Sequence, residues 1–264
     1  MLQKGFLVSG IHFIHNFKEG MLAMIYTELT RKAMKICYDA HKNQTDESGV
    51  PYVFHPIHLA ESMDTEFETC AALLHDVPED TDWTLEDLEE AGFPQLVIEA
   101  ISKLTHDRSQ PYMEYVLGVR ENDIARKVKM MDLAHNCDYT RLSKIGSYTR
   151  KRHRKYRIAR ALLENKSLDA DRGMKYRNLP LHDDYPWYLR IMYKDDGSVE
   201  EGIIFDGNKV CFRMQTDQAA LLAGVGENSK GASLPEQISD YLDENDLSGL
   251  DGWLCSYGIP VQKM

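Results

Sequence analysis

The stretch AALLHDVPEDT, residues 71–81, decides how this chain is read. An apolar run fit for the buried face of a helix is followed at once by His75, Asp76, Glu79 and Asp80, with Pro78 between the two pairs. Burying such groups is costly unless a partner or a metal compensates. Neutral imidazole and carboxylate together suit a divalent ion such as Mn²⁺, Mg²⁺, Fe²⁺ or Zn²⁺. Adjacent helical residues point about 100° apart, so His75 and Asp76 can share an ion only beside a helix end. Further ligands must come from elsewhere. His55, in FHP at a helix start, and Asp132, in KMMDLAHN where an acid interrupts an apolar face, are the candidates. Each group alone has a plain explanation as a hydrogen-bonded interior residue or a solvated helix end. In the order His, His-Asp, Asp on successive helices they point to a metal centre. Glu79 and Asp80, one turn beyond Asp76, are placed to orient a water.

Outward from this stretch the pattern is helical. TELTRKAMKICYDAHKNQ, from Thr27, sets Leu29, Ala33, Ile36, Cys37 and Ala40 on one stripe. A polar loop with Gly49 and two prolines follows, and HPIHLAESM starts a second helix with Pro56 in its first turn. TEFETCAALLHD is the third. Thr84 to Asp87 resembles a capping box opening a short helix that Gly92 closes. PQLVIEAISKL, the segment around KMMDLAHN and TRKRHRKYRIARALLEN complete an all-helical unit. Beyond residue 170 the pattern changes. WYLRIMYKDDGSVEEGIIFDGNKVCFRM reads as a three-stranded antiparallel meander with DDG and DGN turns. SLPEQISDYLDEN reads as a helix capped by Ser233. The expected fold is mainly α: an extension over residues 1–24 that is disordered or a mis-assigned start (Met21 and Met24 are candidate starts), an all-helical domain over 25–170, and a small α+β domain over 171–264. All candidate ligands precede residue 165, so the helical unit is expected to fold and keep its site without the rest.

Composition narrows the function. The 264 residues carry a net charge of −11, which disfavours a general nucleic-acid binder. No apolar stretch approaches the roughly 20 residues of a membrane span, so no membrane partner is expected, and no secretory signal is read at the start. Five scattered cysteines without a CxxC pair suit reduced thiols in a cytoplasmic protein. Against the acidic total, seven Lys or Arg crowd between Arg150 and Arg160. Either they form a solvated face packing on the acidic second unit, with its 16 Asp or Glu against 9 Lys or Arg over residues 171–264, or Arg152 and Lys155 rim a phosphate pocket.

Several segments together resemble the hydrolase domain of RelA/SpoT homologues, in the HD phosphohydrolase superfamily, and most of all its stand-alone small alarmone hydrolases. AHKNQTDESGVPYVFHP matches the family's A-H-x-x-Q-x-R-K-S-G-x-P-Y-x-x-H-P without a gap, AALLHDVPEDT matches AALLHDxxEDT, FPQLVIEAISKLT resembles FGxxVxxxVxxxTKL, and KMMDLAHN resembles KLADRLHN. The resemblance covers roughly residues 27–163. It implies an HD-type fold in which His55, His75, Asp76 and Asp132 bind one divalent metal, usually Mn²⁺. It implies that Glu79 and Asp80 position or deprotonate the attacking water, and that Asn136 helps shape the nucleotide pocket. Asp46, Ser48 and Lys103 in the matched segments, with Arg152 and Lys155, complete the candidate substrate contacts. The family removes the 3′-pyrophosphate of guanosine tetra- and pentaphosphate, so the expected partner is an anionic nucleotide. A homo-oligomer stays open.

Two departures stand out. The family's Arg-Lys is Asp46-Glu47 here. An acid offers no cation–π face to a base and repels phosphate, so Asp46→Arg is expected to favour guanosine tetraphosphate. Residues 171–264 are too few for a synthetase domain. The alternatives are a hydrolase acting on another nucleotide, such as an adenine nucleotide or NADPH, and a catalytically silent nucleotide-binding regulator.

Overall fold

The helical periodicities become helices in a computed structural model that describes residues 24–164, 176–182, 185–226 and 231–264. Of the expected extension over residues 1–24, only the buried Met24 is described, and the expected boundary at 170/171 lies outside the described residues. Helix α1, Glu28–His41, begins at Thr27, whose side chain accepts from Thr30 N. It buries Ala33 and Cys37 on the anticipated stripe, and Leu29, Ile36 and Ala40 pack partly buried beside them. Helix α2, Phe54–Glu61, carries Pro56 in its first turn, where a missing N–H breaks no helical bond.

Helix α3, Glu66–Leu74, is the hub. It starts in a capping box between Thr65 and Glu68 and is buried from Thr69 to Leu74. α1, α2 and later helices pack around it. The third helix read from the sequence does not run through His75 and Asp76. It stops at Leu74, and a separate turn, α4, Val77–Asp80, follows. Asp76 is the N-cap of that turn at φ −99°, ψ −2°, and Pro78 sits at its second position, which needs no N–H.

The capping box read at Thr84–Asp87 is present and opens α5, Leu85–Glu90. Gly92, at φ +85°, closes it in the left-handed region that glycine adopts freely. Helices α6, Gln95–Leu104, α7, Tyr112–Arg120, α8, Asp123–Asn136, and α9, Ser147–Leu163, complete the helical part. Among the described residues no helix is long and apolar enough to cross a membrane. All five cysteines are free.

The rest is an antiparallel five-stranded sheet in the order β1-β2-β3-β4-β5, with two more strands than the meander read from the sequence. The anticipated strands are β2, Trp187–Tyr193, β3, Val199–Asp206, and β4, Lys209–Met214. The added edges are β1, Tyr176–Pro180, which buries only Leu179, and β5, Val261–Lys263, which is three residues long. Neither carries an alternating apolar pattern, so neither announces itself. Helix α10, Gln218–Ala223, precedes α11, Leu234–Leu242, and α12, Leu250–Ser256, follows. At the start of α11, Glu236 accepts from both Ser233 N and Ser233 Oγ.

The two parts share one apolar core. Ile158, Leu162 and Leu163 of α9 belong to the same buried cluster as Leu179, Leu189 and Ile238. Arg177 of β1 donates through Nη1 to the carbonyls of Leu162 and Glu164 at 2.9 and 3.0 Å, satisfying the end of α9. Buried Arg154 of α9 makes a two-pronged pair with Asp243, just past α11. A helical unit that folds alone therefore has to do without part of its own core. A chain ending at residue 164 is expected to melt well below the full chain. Arg177→Ala is expected to lower stability by about 1–3 kcal/mol in urea denaturation. A shortened chain with the full chain's melting temperature would restore two independent units.

Candidate active site

His75 caps α3 with helical dihedrals, φ −59°, ψ −36°, Asp76 follows at φ −99°, ψ −2°, and their side chains meet. His75 Nδ1–H donates to the Ala72 carbonyl at 2.8 Å, which fixes the tautomer and leaves Nε2 facing inward. Asp76 Oδ2 lies 2.8 Å from that Nε2, a close contact between the two groups. The α2 start brings His55, whose Nε2 is 3.9 Å from Asp76 Oδ2 and 3.2 Å from Asp132 Oδ1 of α8. The ligand-type atoms of His55, His75 and Asp76 all lie within 4.8 Å of one another. Three buried residues and one half-buried one thus meet from α2, the α3–α4 junction and α8.

Fixed partners surround this cluster. His55 Nδ1 and His135 Nδ1 are 2.6 Å apart, so one donates to the other. The rings of His55, His135 and His58 form a stack with centroid spacings of 4.9 and 4.3 Å. Burial, then the neighbouring His55 and Arg141, push His135 down to about 3 and keep it neutral. Asp132 is held from both sides on its own helix. Lys129 Nζ is 2.8 Å from Oδ2, and Asn136 Nδ2 donates to Oδ1 at 2.5 Å. Tyr52 Oη donates to Asp76 Oδ2.

The electrostatics favour a cation. Burial alone would raise both carboxyls, but His75 holds Asp76 down to about 2, and Lys129 with the histidines holds Asp132 well below the usual range. Burial opposes a charge on His75, yet Asp76 and Asp132 lift it to about 9. Two carboxylates in a largely dry place therefore draw positive charge inward. A proton on His75 supplies part of it, and a divalent ion would supply more. With its mixed N and O donors, the cluster fits such an ion.

Glu79 sits beside the cluster. Its Oε2 accepts from His106 N at 3.1 Å, and burial raises its carboxyl above the ordinary range. Asp80 is more open and is also raised, by burial and then by Asp76. Two small cavities, of about 290 and 250 Å³, lie against His55 and share Asp46, Tyr52 and Arg141 in their walls. Asn136 and Arg152 line the second, together with Tyr156.

The remaining candidates are distributed unevenly. Asp46 Oδ1 accepts from Ser48 N and Val50 N, and Ser48 Oγ donates to the Arg141 carbonyl. Both residues therefore build the loop before α2, though Asp46 also lines the cavities. Asp46→Arg would remove these loop bonds, a complication the sequence does not display. Lys103 is exposed on α6 and lines neither small cavity. Lys155 lies 4.2 Å over the Tyr112 ring and lines a separate cleft of about 630 Å³ between α9 and α11. Four participants escaped the sequence reading. Tyr52, Lys129 and His135 lie inside the quoted motifs but carry no spacing that marks them. Arg141 ends a short 3-10 turn, Tyr139–Arg141, and has no signal at all. It donates to the His135 carbonyl at 2.9 Å and faces Asp46 at 3.5 Å.

Fold and cluster together define a helical unit in which His55, His75 and Asp76 form a group that could hold a metal ion, with Asp132 against His55. Known proteins place it further. No protein-family model matches the chain. It is 32% identical over 148 residues to the bifunctional (p)ppGpp synthase/hydrolase SpoT of Escherichia coli (strain K12), a match covering 51% of this chain and 20% of that protein. It is 36% identical over 96 residues to a guanosine-3′,5′-bis(diphosphate) 3′-pyrophosphohydrolase of Danio rerio, covering 33% of this chain and 53% of that one. A solved structure, described as a metazoan ortholog of SpoT that hydrolyzes ppGpp, has a TM-score of 0.45 at 24% identity, covering 54% of this chain and 89% of that one. The chain thus spans 20% of the first relative's length and 53% of the second's. Its resemblance is to the RelA/SpoT-type hydrolases that the motifs had indicated.

The Lys129–Asp132 pair generates a prediction. Lys129→Met leaves a buried carboxylate without its cation, expected to cost about 3 kcal/mol at neutral pH in the presence of a chelator. The lowered carboxyl of Asp132 stabilises the fold above its unfolded value of about 4 and stops doing so as pH falls. The deficit of the variant should therefore shrink toward acid pH. The window lies below the unfolded value, so equal deficits at about pH 2.5 and pH 7 in urea titrations would remove the pair from the account.

Proposed function

We propose that this chain is a metal-dependent phosphohydrolase that removes the 3′-pyrophosphate from guanosine tetra- or pentaphosphate, leaving GDP or GTP, with no synthetase activity. The observation that carries it is the grouping of His55, His75 and Asp76 within 4.8 Å of one another, with Asp132 against His55 and Glu79 nearby. In this reading those four residues hold one divalent ion, Mn²⁺ by preference. The ion's chemistry is Lewis acidity toward phosphoryl oxygens and acidification of water. The chain's own groups do the rest. Glu79, raised by burial, is suited to accept a proton from the attacking water, with Asp80 orienting it. Ala72 and His135 hold the two imidazoles in place, and Lys129 and Asn136 hold Asp132. Tyr52 orients Asp76. Arg152 and Asn136, in the wall of the cavity beside His55, receive the nucleotide. The helical part carries the chemistry, the part beyond residue 170 modulates it, and the protein works in the cytoplasm.

A second reading has one observation in its favour. Asp46 and Glu47 offer no free cation to a guanine, because each faces an arginine, Arg141 and Arg152. A different nucleotide, such as an adenine nucleotide or NADPH, would suit a loop of that charge. A substrate panel separates the two.

Asp76→Ala is expected to lose metal and activity together while circular dichroism stays helical; full metal occupancy in elemental analysis would sink the ligand assignment. Glu79→Gln combined with Asp80→Asn is expected to keep the metal and to slow turnover by about 10² to 10⁴. Unchanged turnover would reduce the pair to a helix end.

A further inference from the structure

Glu47 and Arg152 face each other in the wall of the cavity that touches His55 and Asn136. Arg152 Nη2 donates to Glu47 Oε2 at 2.9 Å, and Nη1 donates to Oε1. One carboxylate therefore takes both outer corners of the guanidinium fork, the same two-oxygen grip that a phosphate makes on arginine. The fork is already set in place. Tyr148 and Tyr156, one turn to either side on α9, put their rings 5.7 and 6.0 Å from Arg152 Cζ. Its Nε is buried without a partner. The Arg152 side chain is 21% exposed and that of Glu47 is 54% exposed.

The other cation in this wall is not comparable. Arg141 spends its donors on the His135 carbonyl and on Asn136 Oδ1, which tie it to α8. Arg152 is held in its fork by a side chain on the loop between α1 and α2, and half of that side chain is in water. An exposed ion pair of this kind contributes little to stability. A carboxylate brings one charge to the fork, whereas a phosphate group brings more and offers more oxygens. Exchange of one for the other is therefore open to a phosphate and closed to a neutral group.

We propose that Glu47 is an internal anion that fills the Arg152 fork until a nucleotide phosphate displaces it. The site then admits a nucleotide whose non-reacting 5′-diphosphate can outcompete a carboxylate, and gives no such advantage to a ligand presenting only sugar and base at that wall. This deepens the nucleotide reading above and takes from it only that the ligand is a nucleotide.

The test is equilibrium binding of GDP and of guanosine to the full chain by calorimetry, with Mn²⁺ at fixed salt, so no turnover is involved. Glu47→Gln is expected to tighten GDP by about 3- to 10-fold, the range of a surface ion pair, and to leave guanosine unchanged. Arg152→Gln is expected to weaken GDP, and Glu47→Gln in the Arg152→Gln background to give no gain. Weaker GDP binding by Glu47→Gln would mean that Glu47 positions Arg152 instead of competing for it, and would overturn the proposal. So would a gain that persists without Arg152, an equal gain for guanosine, or no binding of GDP to Glu47→Gln. A protein that fails to hydrolyse guanosine tetraphosphate but passes this cycle would refute the hydrolase reading and leave Glu47's role standing.

Discussion

The site depends on one break in the backbone. Helix α3 is buried from Thr69 to Leu74; His75 caps it with helical dihedrals, Asp76 departs to φ −99°, ψ −2°, and the two side chains approach to 2.8 Å. Pro78 protects the break. At the second position of the next turn it needs no hydrogen bond, while a helix run straight on from α3 would clash with it. The second constraint is charge. Asp76 and Asp132 lie where water is scarce, so positive charge must accompany them. Lys129 and the imidazoles supply some of it inside the chain. The site is thus built around carboxylates that need cations, and a divalent ion at His75 Nε2 would take the place of the proton there.

Much of this was legible in the sequence because the signals were local. Period-3.6 apolar stripes gave the helices, and Thr84 with Asp87 gave a cap that the structure contains. Polar residues placed where a buried face should run singled out His55, His75, Asp76 and Asp132; the structure groups the first three within 4.8 Å of one another and sets Asp132 against His55 at 3.2 Å. What escaped was tertiary. No spacing tells that Tyr52 Oη reaches Asp76, or that Arg141 crosses from a short 3-10 turn to Asp46. Lys103 looked like a cation on a matched helix, but its side chain faces outward from α6. The edge strands β1 and β5 were invisible for a different reason: a strand with one buried side chain or three residues has no alternation to read.

The basic run on α9 shows how a plain and a functional explanation can both hold. Lys151 faces Asp240 of α11 at 3.2 Å, and Arg154 pairs with Asp243, so one side of the helix does meet the acidic second part. Arg152 turns the other way, to Glu47 and the cavity beside His55. The same helix therefore forms a wall of the candidate site and the main seam to the sheet. Any shift of α11 along that seam would be felt by Arg152 and Tyr156, which also line the cleft between α9 and α11. Among the described residues the second part places no ligand in the cluster, and it meets the site's wall through this cleft.

The most direct test of the central claim is a product analysis with and without metal. The full chain, stripped with a chelator, is incubated with guanosine tetraphosphate before and after Mn²⁺ is restored, and the products are separated by anion exchange. The account predicts GDP and pyrophosphate in equal amounts with the ion and none without it. Products that form equally well in the chelator, or a guanosine tetraphosphate left intact while another nucleotide is cleaved, would contradict it.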